Sequence, residues 1–251
     1  MDLMNNFAVN IENLQFAYRD QPRQLFSNLN LQIDKGESFG IFGPNGAGKT
    51  TLMSIMTGLI EYTGGSVKLL GQEVKTKKKQ FNKRFGFVPQ DFSFYQELTP
   101  KENLAFFGSW AGLTTSTINR RTDELLEILG LNDVRNKQVQ QFSGGMKRRI
   151  NLAISVIHHP EVLFLDEPTV GVDVQTRFAI IDYLKNLNAG GMTLIYTSHQ
   201  LHEAESLCRK IAMIDEGKII VHDSLENLLG NHKQDGLEGL FLSLTGKSYR
   251  D

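Results

Sequence analysis

The chain has 251 residues, with 27 lysines and arginines against 28 aspartates and glutamates, and 40% of its residues are hydrophobic. That length suits one large domain or a domain with a lobe, and a net charge near zero gives no reason to expect nucleic acid as a partner. A single cysteine, Cys208, excludes an intrachain disulfide and fits a reducing compartment. The opening residues Met1-Asp2-Leu3-Met4-Asn5-Asn6 lack the basic and long apolar stretches of a signal peptide. No apolar run approaches the roughly 20 residues that cross a bilayer. Any membrane role is therefore expected from the cytoplasmic face, through a partner.

In chain order, two alternating segments at residues 7–18 and 24–33 read as strands. Asp34-Lys35-Gly36-Glu37 is a tight turn into a short apolar run at 38–42. Gly43-Pro44-Asn45-Gly46-Ala47-Gly48-Lys49-Thr50 follows directly, and a helix continues through Thr51 to Met56. After Gly64-Gly65 come strands at 66–70 and at 85–88, the latter stopped by Pro89. The early strands follow one another without intervening helices, which predicts an antiparallel β layer beside a parallel core.

From Thr99 to about residue 157 the pattern is helical. Thr99-Pro100-Lys101-Glu102 predicts a helix start, with Thr as N-cap, Pro at the first helical position and Glu closing a capping box. Residues 121–129 repeat apolar side chains at helical spacing and stop at Gly130. Strand and helix then alternate at 162–165, 174–187, 192–197 and 201–208. Segments 211–214 and 218–221 flank Asp215-Glu216-Gly217, a hairpin signal. The expected division is a domain over residues 1–222, with a helical lobe of about 91–157 inserted in it, and a C-terminal helical tail over 223–251.

The segment 43–50 has the form Gly-x-x-x-x-Gly-Lys-Thr between strand and helix. Its glycines let several backbone N–H groups converge on one anion at the positive end of the helix. Lys49 can reach the β- and γ-phosphates of a nucleotide, and the Thr50 hydroxyl can ligate Mg²⁺. Val162-Leu163-Phe164-Leu165-Asp166-Glu167 is an apolar run ending in two carboxylates, the pattern of a strand buried on both faces. Its carboxyl end is where open α/β sheets bind ligands. Asp166 can hold Mg²⁺, and Glu167 can polarise a water for in-line attack. His199, at the end of the segment 193–198, can bond a γ-phosphate or orient Glu167. Gln90, after Pro89, offers an amide to the metal or its water. Ser143-Gly144-Gly145 frees backbone N–H groups at the start of a helix expected over residues 147–156 and makes a second anion-binding N-terminus, with a hydroxyl added. Two such chains head to tail would pair the loop of each with the Ser-Gly-Gly of the other.

With these motifs in this order, the chain resembles the ATP-binding subunit of an ABC transporter over nearly its whole length. The resemblance implies an α/β fold with a P-loop NTPase core of mostly parallel strands, an N-terminal antiparallel β layer and an inserted helical lobe. It implies ATP and Mg²⁺ as cofactors. Tyr18 resembles the aromatic that stacks on adenine. Gly43, Pro44, Asn45, Gly46, Ala47, Gly48, Lys49 and Thr50 match Walker A, and with Thr51 they complete the ATP-binding loop. Ser143, Gly144 and Gly145 match the signature motif, Asp166 the Walker-B aspartate and metal ligand, and Val170-Gly171-Val172-Asp173 the D-loop. Glu167, His199 and Gln90 match the catalytic glutamate, the switch histidine and the Q-loop glutamine, with Thr50, Gln90 and Asp166 as the implied metal donors.

The signature reads Phe-Ser-Gly-Gly-Met where the commonest form is Leu-Ser-Gly-Gly-Gln, and its Met-Lys-Arg-Arg continuation resembles the export branch paired with ABC-2 type permeases. The tail from Leu237 to Gly246 resembles that branch too, without the regulatory domain of many sugar importers. The expectation is an ATPase that dimerises around two Mg·ATP to power export of a substrate through a separate membrane permease; an importer ATPase, or a soluble ABC ATPase acting on nucleic acid or ribosomes, are the alternatives. Partners implied are a second ATPase subunit and an integral permease, with no nucleic acid.

Overall fold

The computed structural model describes residues 6–19, 23–76, 81–198, 201–232 and 236–245. In chain order the strands are β1 (Phe7–Phe16), β2 (Phe26–Asp34), β3 (Ser38–Phe42), β4 (Gly64–Leu69), β5 (Gln72–Glu73), β6 (Phe85–Val88), β7 (Val162–Asp166), β8 (Thr193–Thr197), β9 (Lys210–Asp215) and β10 (Lys218–Ser224). The helices are α1 (Lys49–Met56), α2 (Pro100–Trp110), α3 (Thr115–Ile128), α4 (Gly144–Val156), α5 (Val174–Ala189), α6 (Leu201–Leu207), α7 (Leu225–His232) and α8 (Leu237–Thr245). The chain divides into two compact units, residues 1–78 with 188–251 and residues 79–187.

In the first unit β1, β2, β4 and β5 form an antiparallel sheet in the order β2-β1-β4-β5. This is the antiparallel layer implied by the closely spaced early strands. β5 has only two residues, too short for any periodicity to announce it. The other strands of this unit centre on β3, which runs parallel to β8 on one side and β9 on the other. Every residue of β3 and of β8 is buried, as expected of parallel strands covered on both faces. Each buried Leu, Ile or Phe among them contributes roughly 1.5–3 kcal/mol relative to exposure. β9 and β10 form the antiparallel hairpin, turning at Glu216 (φ 47°) and Gly217 (φ 75°). Two successive positive φ values match the right-handed twist of the flanking strands. Cys208 is buried beside Ser38, and burial pushes its thiol up to about 12.

In the second unit β6 and β7 pair in parallel, with Phe85 opposite Val162 and Val88 opposite Leu165. Helix α2 packs against α3 and α4, and α4 against β6. The capping box at the start of α2 is complete: Glu102 N donates to Thr99 Oγ1 at 3.2 Å, and Thr99 N donates to Glu102 Oε2 at 2.8 Å. Helix α3 begins at Thr115, before the apolar repeat that signals it, because Thr114 caps it by accepting from Thr117 N at 3.3 Å. Helix α4 begins at Gly144, three residues before the Lys147 start that glycine's weak helix propensity suggests, because Ser143 caps it. Buried Arg121 of α3 donates to Val156 O at 3.2 Å, placing a cation on the carbonyl end of α4 where the helix dipole favours it.

Candidate functional site

In the first unit, residues 43–50 join β3 to α1. A Cβ at Gly43 would lie 2.0 Å from Ile214 O on β9, so only glycine fits where the loop leaves the strand. Gly48 is the N-cap of α1 at φ 105°, a left-handed conformation that glycine adopts without penalty. It brings no side-chain cap to the helix, so the first-turn N–H groups and the positive end of the dipole face outward together. Lys49 is 6% exposed, and its Nζ donates to Gly43 O at 2.8 Å and Pro44 O at 3.2 Å. The ammonium is thus held by the carbonyls of its own loop. The β9–β10 hairpin braces the loop from behind, with Gly217 N donating to Ala47 O at 3.2 Å. Thr50 is exposed on the first turn of α1, and Thr51 Oγ1 lies 2.7 Å from the Tyr18 hydroxyl. The Tyr18 ring is 40% exposed and stands edge-on to Phe16, with centroids 4.9 Å apart. Tyr18 and residues 43–51 therefore gather around one loop.

In the second unit, β7 ends at Asp166, which is 1% exposed. The chain then turns at Glu167 with φ 51°, a conformation that costs a non-glycine residue about 1–3 kcal/mol and is typical of functional turns. Because Val88 pairs with Leu165, the residues two further along each strand, Gln90 and Glu167, emerge side by side. Gln90 Nε2 donates to Glu167 Oε2 at 3.2 Å. The amide nitrogen faces the carboxylate, so Oε1 is the atom Gln90 offers a cation. Ser143 Oγ accepts from Met146 N at 3.3 Å at the start of α4. A Cβ at Gly145 would lie 3.3 Å from Thr176 Oγ1 and 3.5 Å from Asp173 Oδ2, which sets the Ser-Gly-Gly segment against the loop at 170–173. Asp173 accepts from Thr176 N at 2.9 Å and Thr176 Oγ1 at 2.6 Å, and these bonds hold its carboxyl below the usual range.

His199 lies outside the described residues, as does Gly246. Among the described residues no group of three or more His, Cys, Asp or Glu side chains forms a metal cluster. In the second unit Gln90 and Asp166 offer hard oxygen donors, the chemistry Mg²⁺ prefers, and in the first unit the Thr50 hydroxyl is another.

Sequence reading missed one further group. Arg148, Asn151 and Ser155 lie on one face of α4 and are all buried. Ser155 Oγ donates to Phe87 O at 2.7 Å, Asn151 Nδ2 to Pro89 O at 3.4 Å, and Arg148 Nη1 to Gln90 O at 2.5 Å. The available signal was their i, i+3, i+7 spacing within an otherwise apolar helical stripe.

The glycine loop, its lysine and the carboxylates at the end of β7 define a phosphate-loop nucleoside triphosphatase. The family model for the ABC transporter matches residues 26–170, more than half of the chain. The chain is 42% identical over 209 residues to the linearmycin resistance ATP-binding protein LnrL of Bacillus subtilis, covering 83% of this chain and 67% of that protein. It is 40% identical over 208 residues to the Nod factor export ATP-binding protein I of Cupriavidus pinatubonensis, covering 81% of this chain and 64% of that one. Among solved structures, an ATP-binding subunit of an ABC transporter superposes with a TM-score of 0.86 at 24% identity, covering 95% of this chain and 99% of the other. The ATP-binding cassette MJ0796, solved as a dimeric post-hydrolysis state with ADP and Pi, gives 0.79 at 26% identity, covering 86% and 98%. The chain belongs to the ABC transporter family, and it is an ATP-binding ATPase of that family.

Proposed function

We propose that this chain powers export of a substrate through a separate ABC-2 type membrane permease, closing as a homodimer around two Mg·ATP. The contact between Gln90 and Glu167 carries the catalytic part of this reading: it unites an amide and a carboxylate at a strained turn beside the Asp166 carboxylate. In this assignment Glu167 takes the proton of the attacking water, and Gln90 orients that carboxylate. Lys49 and the loop N–H groups stabilise charge on the transferred phosphoryl, Tyr18 covers the adenine, and Ser143-Gly144-Gly145 contacts the nucleotide of the opposing chain. Thr50, Gln90 and Asp166 would hold Mg²⁺, which supplies further charge neutralisation when bound. His199 is assigned to keep the γ-phosphate aligned. Residues 1–222 act as the ATPase domain with the lobe at about 91–157, and 223–251 as its tail.

The names of the export and resistance relatives support the direction of transport. Among the described residues no helix is long and apolar enough to cross a membrane, so the membrane path is assigned to a partner on whose cytoplasmic side this chain sits. An exposed aromatic group supports a docking place for that partner. Phe92 stacks on Phe94 with centroids 5.4 Å apart, and Tyr95 meets Phe106 edge-on at 4.9 Å. Phe92, Tyr95, Phe106 and Trp110 are all exposed.

Glu167→Gln tests the catalytic reading. The variant should bind Mg·ATP, accumulate as a dimer in size-exclusion chromatography and lose hydrolysis by about a hundredfold or more. Hydrolysis at the normal rate overturns the assignment. Phe94→Asp tests the docking reading: capture of the permease from membranes should fall, and unchanged capture with unchanged transport removes it.

A further inference from the structure

We infer that Arg148 is a positioning residue for ATP hydrolysis, holding the Gln90 backbone so that its amide stays on Glu167. Strand pairing ends at Val88, and Pro89 has no N–H to extend it. Beyond that point the Gln90 segment has lost the sheet bonds that would fix its path. Side chains of α4 and of the turn after it line β6 and continue onto this segment. His158 Nε2 lies 3.1 Å from Phe85 O, and since a carbonyl only accepts, this nitrogen carries the proton. Ser155 and Asn151 continue along Phe87 O and Pro89 O, and Arg148 closes the series on Gln90 O at 2.5 Å.

The same guanidinium lies over the Phe92 ring, 4.9 Å from its centroid, and Phe92 in turn stacks on Phe94. Arg148 therefore grips both sides of Asp91. The far end of this segment is anchored separately: Tyr95 N donates to Asn103 Oδ1 and Asn103 Nδ2 donates to Tyr95 O, each at 2.9 Å. A planar guanidinium can donate in its plane while covering a ring with its face; an ammonium has no flat face to stack on the ring and meets it as a point charge.

Stability alone does not account for this arginine. It is 8% exposed, and its Nε has no hydrogen-bond partner among the described residues. Burying a charge with incomplete pairing is costly, and an apolar residue of similar volume is often neutral or better. A purely structural role and a positioning role therefore predict different outcomes at this site.

The inference rests on the assignment of Glu167 as base and Gln90 as its orienting group. The test measures steady-state ATPase kinetics and the unfolding midpoint of the purified full chain. Arg148→Met should lower kcat about ten- to a hundredfold through misplacement of Gln90, with KM for ATP within about twofold and the midpoint not lowered. Arg148→Lys should fall between this and the wild type. A kcat within about twofold of wild type in Arg148→Met, or full restoration by Arg148→Lys, overturns the inference. Should Arg148→Met fail to fold, Phe92→Leu removes the ring alone; it should lower kcat about threefold, and wild-type turnover there counts against the inference equally. Glu167→Gln run alongside separates the two readings: normal hydrolysis there removes the base assignment, while Arg148 is judged on its own kcat.

Discussion

Gln90 donates its side-chain amide to the Glu167 carboxylate at 3.2 Å although 77 residues separate them. The parallel register of β6 and β7 brings them together, since each lies two residues beyond the last paired position of its strand. Glu167 is only 8% exposed, so little water is available to replace this donor.

Removing the amide with Gln90→Ala leaves a buried carboxylate short of one hydrogen bond. Turnover should fall about tenfold or more, while affinity for a fluorescent ATP analogue stays within about twofold. Equilibrium titration and single-turnover hydrolysis on the same preparation check both halves of this expectation.

Ser143 has two separable roles. Its hydroxyl caps α4 through Met146 N, so Ser143→Ala should lower stability by roughly 0.5–2 kcal/mol, read from the urea midpoint. The proposed contact with the opposing chain's nucleotide adds a second effect. ATP binding by the monomer should survive, and ATP-dependent dimerisation of a Glu167→Gln background should weaken. Light scattering with and without Mg·ATP checks this.

His158 sets a pH dependence of stability. Burial pushes its pKa below the ordinary 6.5, opposed in part by its bond to Phe85 O. Below pH 6.5 the unfolded chain takes up a proton that the folded chain resists, so stability falls as the pH is lowered through that window. The slope from this group reaches at most about 1.4 kcal/mol per pH unit and vanishes above 6.5. His158→Gln keeps a donor for Phe85 O without titrating, so it should flatten the acid side of the stability profile. Urea titrations at pH 5, 6 and 7.5 check the difference in slope.

Much of the fold was legible from local pattern. The mainly apolar run at 38–42 and the apolar run at 162–165 became strands buried on both faces, and the Asp215-Glu216-Gly217 turn became a hairpin. Helix starts were readable where a cap stood next to an apolar repeat, as at Thr99, and less so where glycines followed the cap, as at Ser143. Three features of the second unit escaped: the left-handed backbone of Glu167, the contact of Gln90 with it, and the row of Arg148, Asn151 and Ser155 on the carbonyls at and beyond the end of β6.

By itself the sequence determined the phosphate loop and the identities of its lysine and hydroxyls, because a glycine-rich turn between strand and helix needs only neighbouring residues to take shape. Through period and caps it also determined which of the longer segments would be strands and which helices. Tertiary structure alone decided which distant groups meet. Strand register put Gln90 on Glu167, helix packing laid Arg148 over Phe92, and β9 passing behind the loop left room for nothing larger than glycine at position 43. These contacts depend on a shift of one residue or one helical turn, and only the packed core selects among such shifts.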